Sequence, residues 1–336
     1  MRPTAVLSLQ RGESMKPAFV IYCVLLAAWV WAAAPTPGRP VQAPEQIPYQ
    51  DGTGQKNNSL LAGVQDMHSP AVATPAVHHH RPHPGLRVAL AQLSVEDGDL
   101  ARNMELVREA ASEAARQRAD FLNLPEAADY GWLYQRARRD ALPIPGRYTN
   151  LLSDLAKQYH MWISAGCLEK DGDRVYNSAV IIDRQGEIVL KHRKIDTLAW
   201  LTQDLYDNGD PDDIKTVETE FGRIGLTICA DNFHIENPQR VAEQGAWLLI
   251  APHGFAAEPD KLEENSIEYQ KHICGVASKT GLWVVAANTA IARVQGGAWK
   301  DWLHSGCSLV ARPDGSAAIM ARFKQPDLIV YDIPAE

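Results

Sequence analysis

Basic charge is the first thing this sequence is short of. Lysine and arginine number 33 against 41 aspartates and glutamates, for a formal net charge of -8. No later stretch interleaves basic with aromatic residues, so the counterion release that drives nucleic-acid binding has little to act through, and a general nucleic-acid binder is excluded. Cysteine is scarce as well: five in 336 residues, too scattered to act as a disulfide framework. Internal repeats are absent, which excludes a solenoid, and no Cys/His spacing of a structural metal site appears. What is present is apolar bulk, 46% of residues, enough for a substantial core in one large domain or two small ones.

Three compositional regions divide the chain. Residues 1–34 place Arg2, Arg11 and Lys16 before the uncharged run "AFVIYCVLLAAWVWAAA" at 18–34, the pattern of a signal peptide or an uncleaved signal anchor. That run lies at the short edge of the ~17–25 residues that span a bilayer. Either outcome exports the remainder, to the periplasm or beyond, free or held by one membrane anchor. Residues 35–85 hold 9 of the 21 prolines and little aliphatic periodicity, the composition of a disordered linker. Within it His78, His79, His80 and His83 form a loose cluster that reads as a solvated polar tract, since no cysteine or carboxylate sits at ligand spacing beside them.

Residues 86–334 alternate strand and helix signals. "LRVALAQLS" opens as a strand, and Leu100, Met104, Val107, Ala111 and Ala114 then share one helical stripe. "FLNLPEAAD" predicts a short buried strand stopped by Pro125, followed by a helix over 148–159 and the strand "WISAGC". "VYNSAVIID" and "EIVLKHRK" flank the turn at 183–186 as a hairpin. Beyond them come "RIGLTIC", a helix at 238–244, "AWLLIAP", a long helix at 262–280, "LWVVAANT" and a closing hairpin turned at 312–315. Strands separated by helices argue for α/β, while the hairpins make the sheets mixed. Sheets stacked face to face with helices outside satisfy both.

Three reactive side chains stand where strands end: Glu126 after "FLNLP", Lys194 after "IVLKHR" and Cys229 after "RIGLTI". Each alone has an ordinary explanation: a helix-start carboxylate, a basic edge that discourages strand pairing, a small apolar core residue. As an ordered set, "LPE", "HRKID" and "GLTICAD" resemble the Glu-Lys-Cys motifs of the nitrilase, or carbon-nitrogen hydrolase, superfamily. The resemblance extends to "ALAQL", "GAWLLIAP", "VVAANTA" and "SLVARPDG", nearly the whole of 86–334.

That resemblance implies a four-layer α-β-β-α sandwich and a homodimer or assembly of dimers. It also implies hydrolysis of a small linear amide or carbamoyl amide without cofactor or metal. Cys229 would be the nucleophile, Glu126 the general base, and Lys194 with the Ala230 N–H the oxyanion partners. Tyr130, Trp132, His234 and His253 would lie near the substrate. Relatives often carry a further glutamate after the lysine; "IDTLAWLTQDLYDNGDPDD" has none, leaving Asp204 as the stand-in and Asp207 next. Asn232 stands where many relatives have arginine, against a carbamoyl amino acid as substrate. Two rivals stay open: a nitrilase using the same residues on a C≡N carbon, and a binding module that keeps the fold without the chemistry. Cys229 must remain a free thiol, which leaves Cys167, Cys274 and Cys307 for at most one disulfide.

Overall fold

The computed structural model describes residues 83–336. Residues 1–34, read above as an export signal, His78 to His80 and the rest of the expected linker up to residue 82 lie outside the described residues. His83, read above as part of a solvated tract, is instead only 3% exposed, its ring stacked on Trp247 at 3.6 Å. A flat imidazole against an indole face buries more surface than its Pro- and Gly-rich neighbours suggested.

Two six-stranded sheets face each other. In the first, β1 (Leu86–Gln92), β2 (Phe121–Asn123) and β3 (Trp162–Asp171) run parallel. On one side β4 (Arg174–Ile182) and β5 (Ile188–Arg193) continue as antiparallel hairpins, and on the other β15 (Asp327–Ile333) lies antiparallel to β1. The second sheet follows the same plan. Its parallel strands are β7 (Gly222–Leu226), β8 (Leu248–His253) and β10 (Trp283–Asn288), with β6 (Thr216–Thr219) hairpinned to β7. Antiparallel β13 (Leu309–Ala311) and β14 (Ala317–Met320) complete it. A small sheet of β9 (Ala256–Ala257), β11 (Ala290–Arg293) and β12 (Leu303–Ser305) lies apart from both.

The period-2 alternation of each strand separates the layers. Val88 and Leu90 of β1 meet Leu248 and Ile250 of β8 in the core between the sheets. Their neighbours Ala89 and Ala91 face outward to α1 (Leu100–Arg116) and α3 (Arg147–Tyr159), which cover the first sheet. Leu249 and Ala251 face α5 (Glu236–Glu243) and α6 (Leu262–Thr280) over the second. Two single-turn helices, α2 (Ala137–Asp140) and α4 (Ala199–Thr202), lie in the connections. Helix α1 starts where the Asp99 carboxylate accepts the Arg102 N–H at 3.0 Å, and it buries Met104, Val107, Ala111 and Ala114 as the stripe predicts. The α-β-β-α sandwich expected from the sequence is therefore the fold.

Differences fall at edges. Strand β15 was not anticipated, because only Ile333 of its seven residues is buried and an edge strand needs no apolar alternation. β3 runs four residues beyond Cys167 to pair with β4. β7 stops at Leu226, so Cys229 lies beyond the strand, in a 3-10 turn over Cys229–Phe233. The four cysteines at 167, 229, 274 and 307 are all free thiols.

Gly166 in β3 is where the first sheet meets the segment after β2. A β-carbon there would stand 2.5 Å from both the Glu126 α-carbon and the Ala127 nitrogen, and the Gly166 N–H and carbonyl already bond Pro125 and Ala128 at 3.0 Å. Gly166→Ala is expected to cost about 1–3 kcal/mol, lowering the thermal midpoint by several degrees. An unchanged midpoint would show that this close approach is not a constraint.

Candidate active site

The carboxyl ends of β2, β5 and β7 open toward one place, the usual location for chemistry in sheets with parallel strands. β2 ends at Asn123, and past Leu124 and Pro125 comes Glu126, with its N–H donated to the His253 carbonyl at 3.3 Å. Lys194 follows β5, its N–H donated to the Asn177 carbonyl of β4 at 2.8 Å. Cys229 opens its turn at φ +44°, a left-handed conformation that costs a non-glycine residue about 1–3 kcal/mol and persists only where the surroundings impose it.

The three side chains converge. Glu126, Lys194 and Cys229 are 1%, 0% and 4% exposed. Lys194 Nζ donates to Glu126 Oε1 at 2.7 Å, and Asn177 Nδ2 donates to the same oxygen at 2.6 Å. The ammonium also lies 4.9 Å from the centre of the Trp132 ring, a cation–π contact. Trp132 is held in turn by the Tyr206 hydroxyl, which donates to its carbonyl.

Burial and pairing decide the protonation states. Burial pulls the Lys194 ammonium toward neutrality, but the Glu126 carboxylate, with Asp231, outweighs it and holds the pKa above its ordinary value. Burial and then Glu126 push the Cys229 thiol far up, and the downward pull of Lys194 and of the Gly254 N–H does not compensate. The resting sulfur is therefore protonated, although the cation beside it favours the thiolate. His253 is driven down to about 3 by burial, against the upward effect of its bond to the Ala251 carbonyl. That bond, 2.7 Å from Nδ1, places the proton on Nδ1 and leaves Nε2 as an acceptor.

Not every predicted residue reaches this place. Ala230 is fully buried beside the cysteine, and His253, whose carbonyl accepts the Glu126 N–H, is buried with its ring edge-on to Tyr269 at 5.3 Å. Tyr130 does not join the triad. Its ring stacks on Tyr134 at 5.2 Å, and the charged groups around its hydroxyl are Asp129, Asp140 and Arg147. Trp132, two residues on, takes the position at the lysine instead, because the chain turns sharply at Gly131 (φ +86°). Asp204 is exposed, and its backbone carbonyl accepts from Arg138. Asp207 spends its carboxylate on the Val175 N–H at 3.0 Å and on Arg138 at 3.3 Å. Neither aspartate stands in for a loop glutamate. His234 pairs with Asp196 at 3.0 Å.

Asn177 and Asp231 were missed. The signal for Asn177 was a lone amide inside the apolar "VYNSAVII", since a buried strand carries a polar residue only where a partner awaits it. Glu126 Oε2, Asn177 Oδ1, Trp132 Nε1, His253 Nε2 and the Tyr269 hydroxyl are buried without a hydrogen-bond partner among the described residues. Acceptors and donors of this kind concentrate where a protein handles a polar small molecule.

A family model described as carbon-nitrogen hydrolase matches residues 87–336. The omega-amidase NIT2 of Bos taurus is 30% identical over 257 residues, covering 73% of this chain and 87% of that protein. The nitrilase of Pyrococcus abyssi is 30% identical over 192 residues, 54% of this chain and 72% of that one. Among solved structures, Nit3 of Saccharomyces cerevisiae aligns with a TM-score of 0.65 at 21% identity, over 75% of this chain and 90% of that one. An amidase from Nesterenkonia sp. aligns at 0.64 and 19% identity, over 76% and 93%. At these identities the two structures speak for the fold.

The depressed His253 ring has a consequence for stability. Its pKa is 6.5 when unperturbed and about 3 when folded, so below about pH 6.5 the unfolded chain takes up a proton that the folded site refuses. Stability then falls as pH drops toward 3, by about 1.4 kcal/mol per pH unit for this one group. His253→Gln is expected to flatten the unfolding free energy against pH between 6.5 and 4.5 by about one proton. An identical slope in the variant would show that the ring is not kept neutral.

Proposed function

The chain belongs to the carbon-nitrogen hydrolase family of the nitrilase superfamily, and from that premise we propose a metal-independent amidase working through a Cys229 thioester. Its substrate is a small linear amide or carbamoyl amide. The observation that carries this reading is the burial of a carboxylate, an ammonium and a thiol together at three strand ends. Since the resting sulfur holds its proton, attack and proton transfer belong to one step. Sγ bonds to the carbonyl carbon while the Glu126 carboxylate takes the S–H proton.

The oxygen of the tetrahedral intermediate gains negative charge, which Lys194 Nζ and the Ala230 N–H stabilise. Donors of this kind are worth about 3–4 kcal/mol each when they aim at developing charge in a water-poor site. Collapse breaks the C–N bond, and Glu126 returns its proton to the departing nitrogen. A water then loses a proton to Glu126 as it attacks the thioester, and the acid leaves with the thiol restored. Neither Asp204, exposed to solvent, nor Asp207, committed to Val175 and Arg138, is placed to share that work, so Glu126 acts as base in both halves. Lys194 supplies the electrophilic charge that a metal supplies elsewhere.

The amide reading is supported by similarity to proteins named omega-amidase, and the nitrile alternative by a relative named nitrilase. Export rests on residues 1–34 and on nothing in the described part of the chain. We also infer a homodimer, on the family resemblance.

Intact-mass measurement after mixing with amide and nitrile panels tests the mechanism. Wild-type protein should gain one acyl mass with amides and release ammonia. Cys229→Ala should gain none while remaining folded, and Glu126→Gln should turn over at least about 100-fold more slowly. Turnover by Cys229→Ala would end the thioester mechanism, and adducts with nitriles alone would move the reading to a nitrilase.

A further inference from the structure

We propose that Asp231 is a positioning residue that sets the cysteine of one sheet against the lysine of the other, an inference that rests on the thioester reading above. Lys194, Glu126 and Asn177 all belong to the first sheet or its connections, and their mutual geometry is set within it. Cys229 follows β7 of the second sheet. Apolar packing between sheets is non-directional and gives no fine register to the sulfur. A polar tie across the interface does.

Asp231 makes that tie from two residues beyond the nucleophile. It is fully buried, and its carboxylate bonds both the cysteine turn and the segment that carries the lysine. Oδ2 accepts the Ile228 N–H at 3.1 Å, immediately before Cys229, and meets His192 Nε2 at 2.8 Å. Oδ1 accepts the N–H groups of Ile195 and Asp196, each at 2.9 Å. The partners in the first sheet bracket Lys194, with His192 two residues before it and Ile195 and Asp196 directly after. The turn that carries the carboxylate is closed on itself. The Asp231 N–H bonds the Ile228 carbonyl at 3.0 Å, and the Asn237 amide bonds the Asp231 carbonyl at 3.0 Å.

Two further facts fit this role. Cys229 needs an imposed left-handed backbone, and the Asp231 bond to the preceding N–H is part of what imposes it. The Asp231 charge also helps to keep Lys194 protonated. Asparagine cannot reproduce the tie, because one oxygen becomes an NH2 group that faces N–H donors on either side. Misplacing reacting groups by about 1 Å costs on the order of 100-fold in rate.

The test is the rate of thioester formation and the split of kcat from KM in Asp231→Asn, alongside the thermal midpoint. The expected result is a folded variant whose acylation rate and kcat fall about 100-fold while KM changes less than about 3-fold. An effect on folding alone would lower the midpoint without separating kcat from KM. Wild-type acylation by folded Asp231→Asn would overturn the role of Asp231 and leave the hydrolase reading intact. Failure of the wild-type protein to acylate with any amide would end the underlying reading instead. If Asp231→Asn does not fold, His192→Gln decides, since it removes one arm of the tie. A kcat lowered about 10-fold at unchanged KM supports the proposal, and an unchanged kcat overturns it.

Discussion

A buried ammonium has to be answered by a buried carboxylate, and the centre of this protein is built around that requirement. Lys194 has no exposed surface, and Glu126, almost as deeply enclosed, meets it at 2.7 Å. Removing either partner would leave an uncompensated charge in the interior, at a cost of about 3–5 kcal/mol. The pair therefore holds one geometry, and the groups around it are arranged for it. Asn177 supplies a second donor to the same carboxylate oxygen, and Trp132 turns its ring toward the ammonium. The raised thiol of Cys229 follows first from burial and then from the same arrangement, because a carboxylate close enough to accept its proton also disfavours a second negative charge beside it.

The sandwich makes the pair compatible with chemistry. Two sheets on the same plan, each with three parallel strands at its centre, bring strand ends from distant parts of the chain to one edge. Backbone fills the space where a side chain would intrude, as at Gly166 against the Glu126 segment. The apolar core between the sheets holds the layers together without directional preference, and the polar contacts at the edge supply the direction. Stability and alignment thus come from different interactions, and a substitution can disturb one while sparing the other.

Much of this was legible in the residues. The strand cores were readable because alternation places apolar residues on both faces of a doubly covered sheet, and α1 was readable from a stripe of five positions. The triad was legible because its members follow strands in a recognisable order. Asp204 and Tyr130 were misplaced for one reason: both lie in connections, where local sequence does not say which way a side chain turns. The loop carrying Asp204 sends Tyr206 inward to Trp132 and leaves the aspartate in solvent. Strand β15 escaped notice because half-buried edges tolerate mixed composition.

By itself the sequence determined the class of fold, the order of the layers and which carboxylate, ammonium and thiol the family motifs single out, since periodicity and motif are properties of neighbours along the chain. Only the tertiary structure decided that the lysine is answered by the glutamate and steadied by Asn177, that the thiol rests protonated, and that Asp231 reaches across from the cysteine turn to both sides of the lysine. Those facts depend on distances between segments brought together by packing. Burial, which governs each charge state, exists only once the sheets have closed.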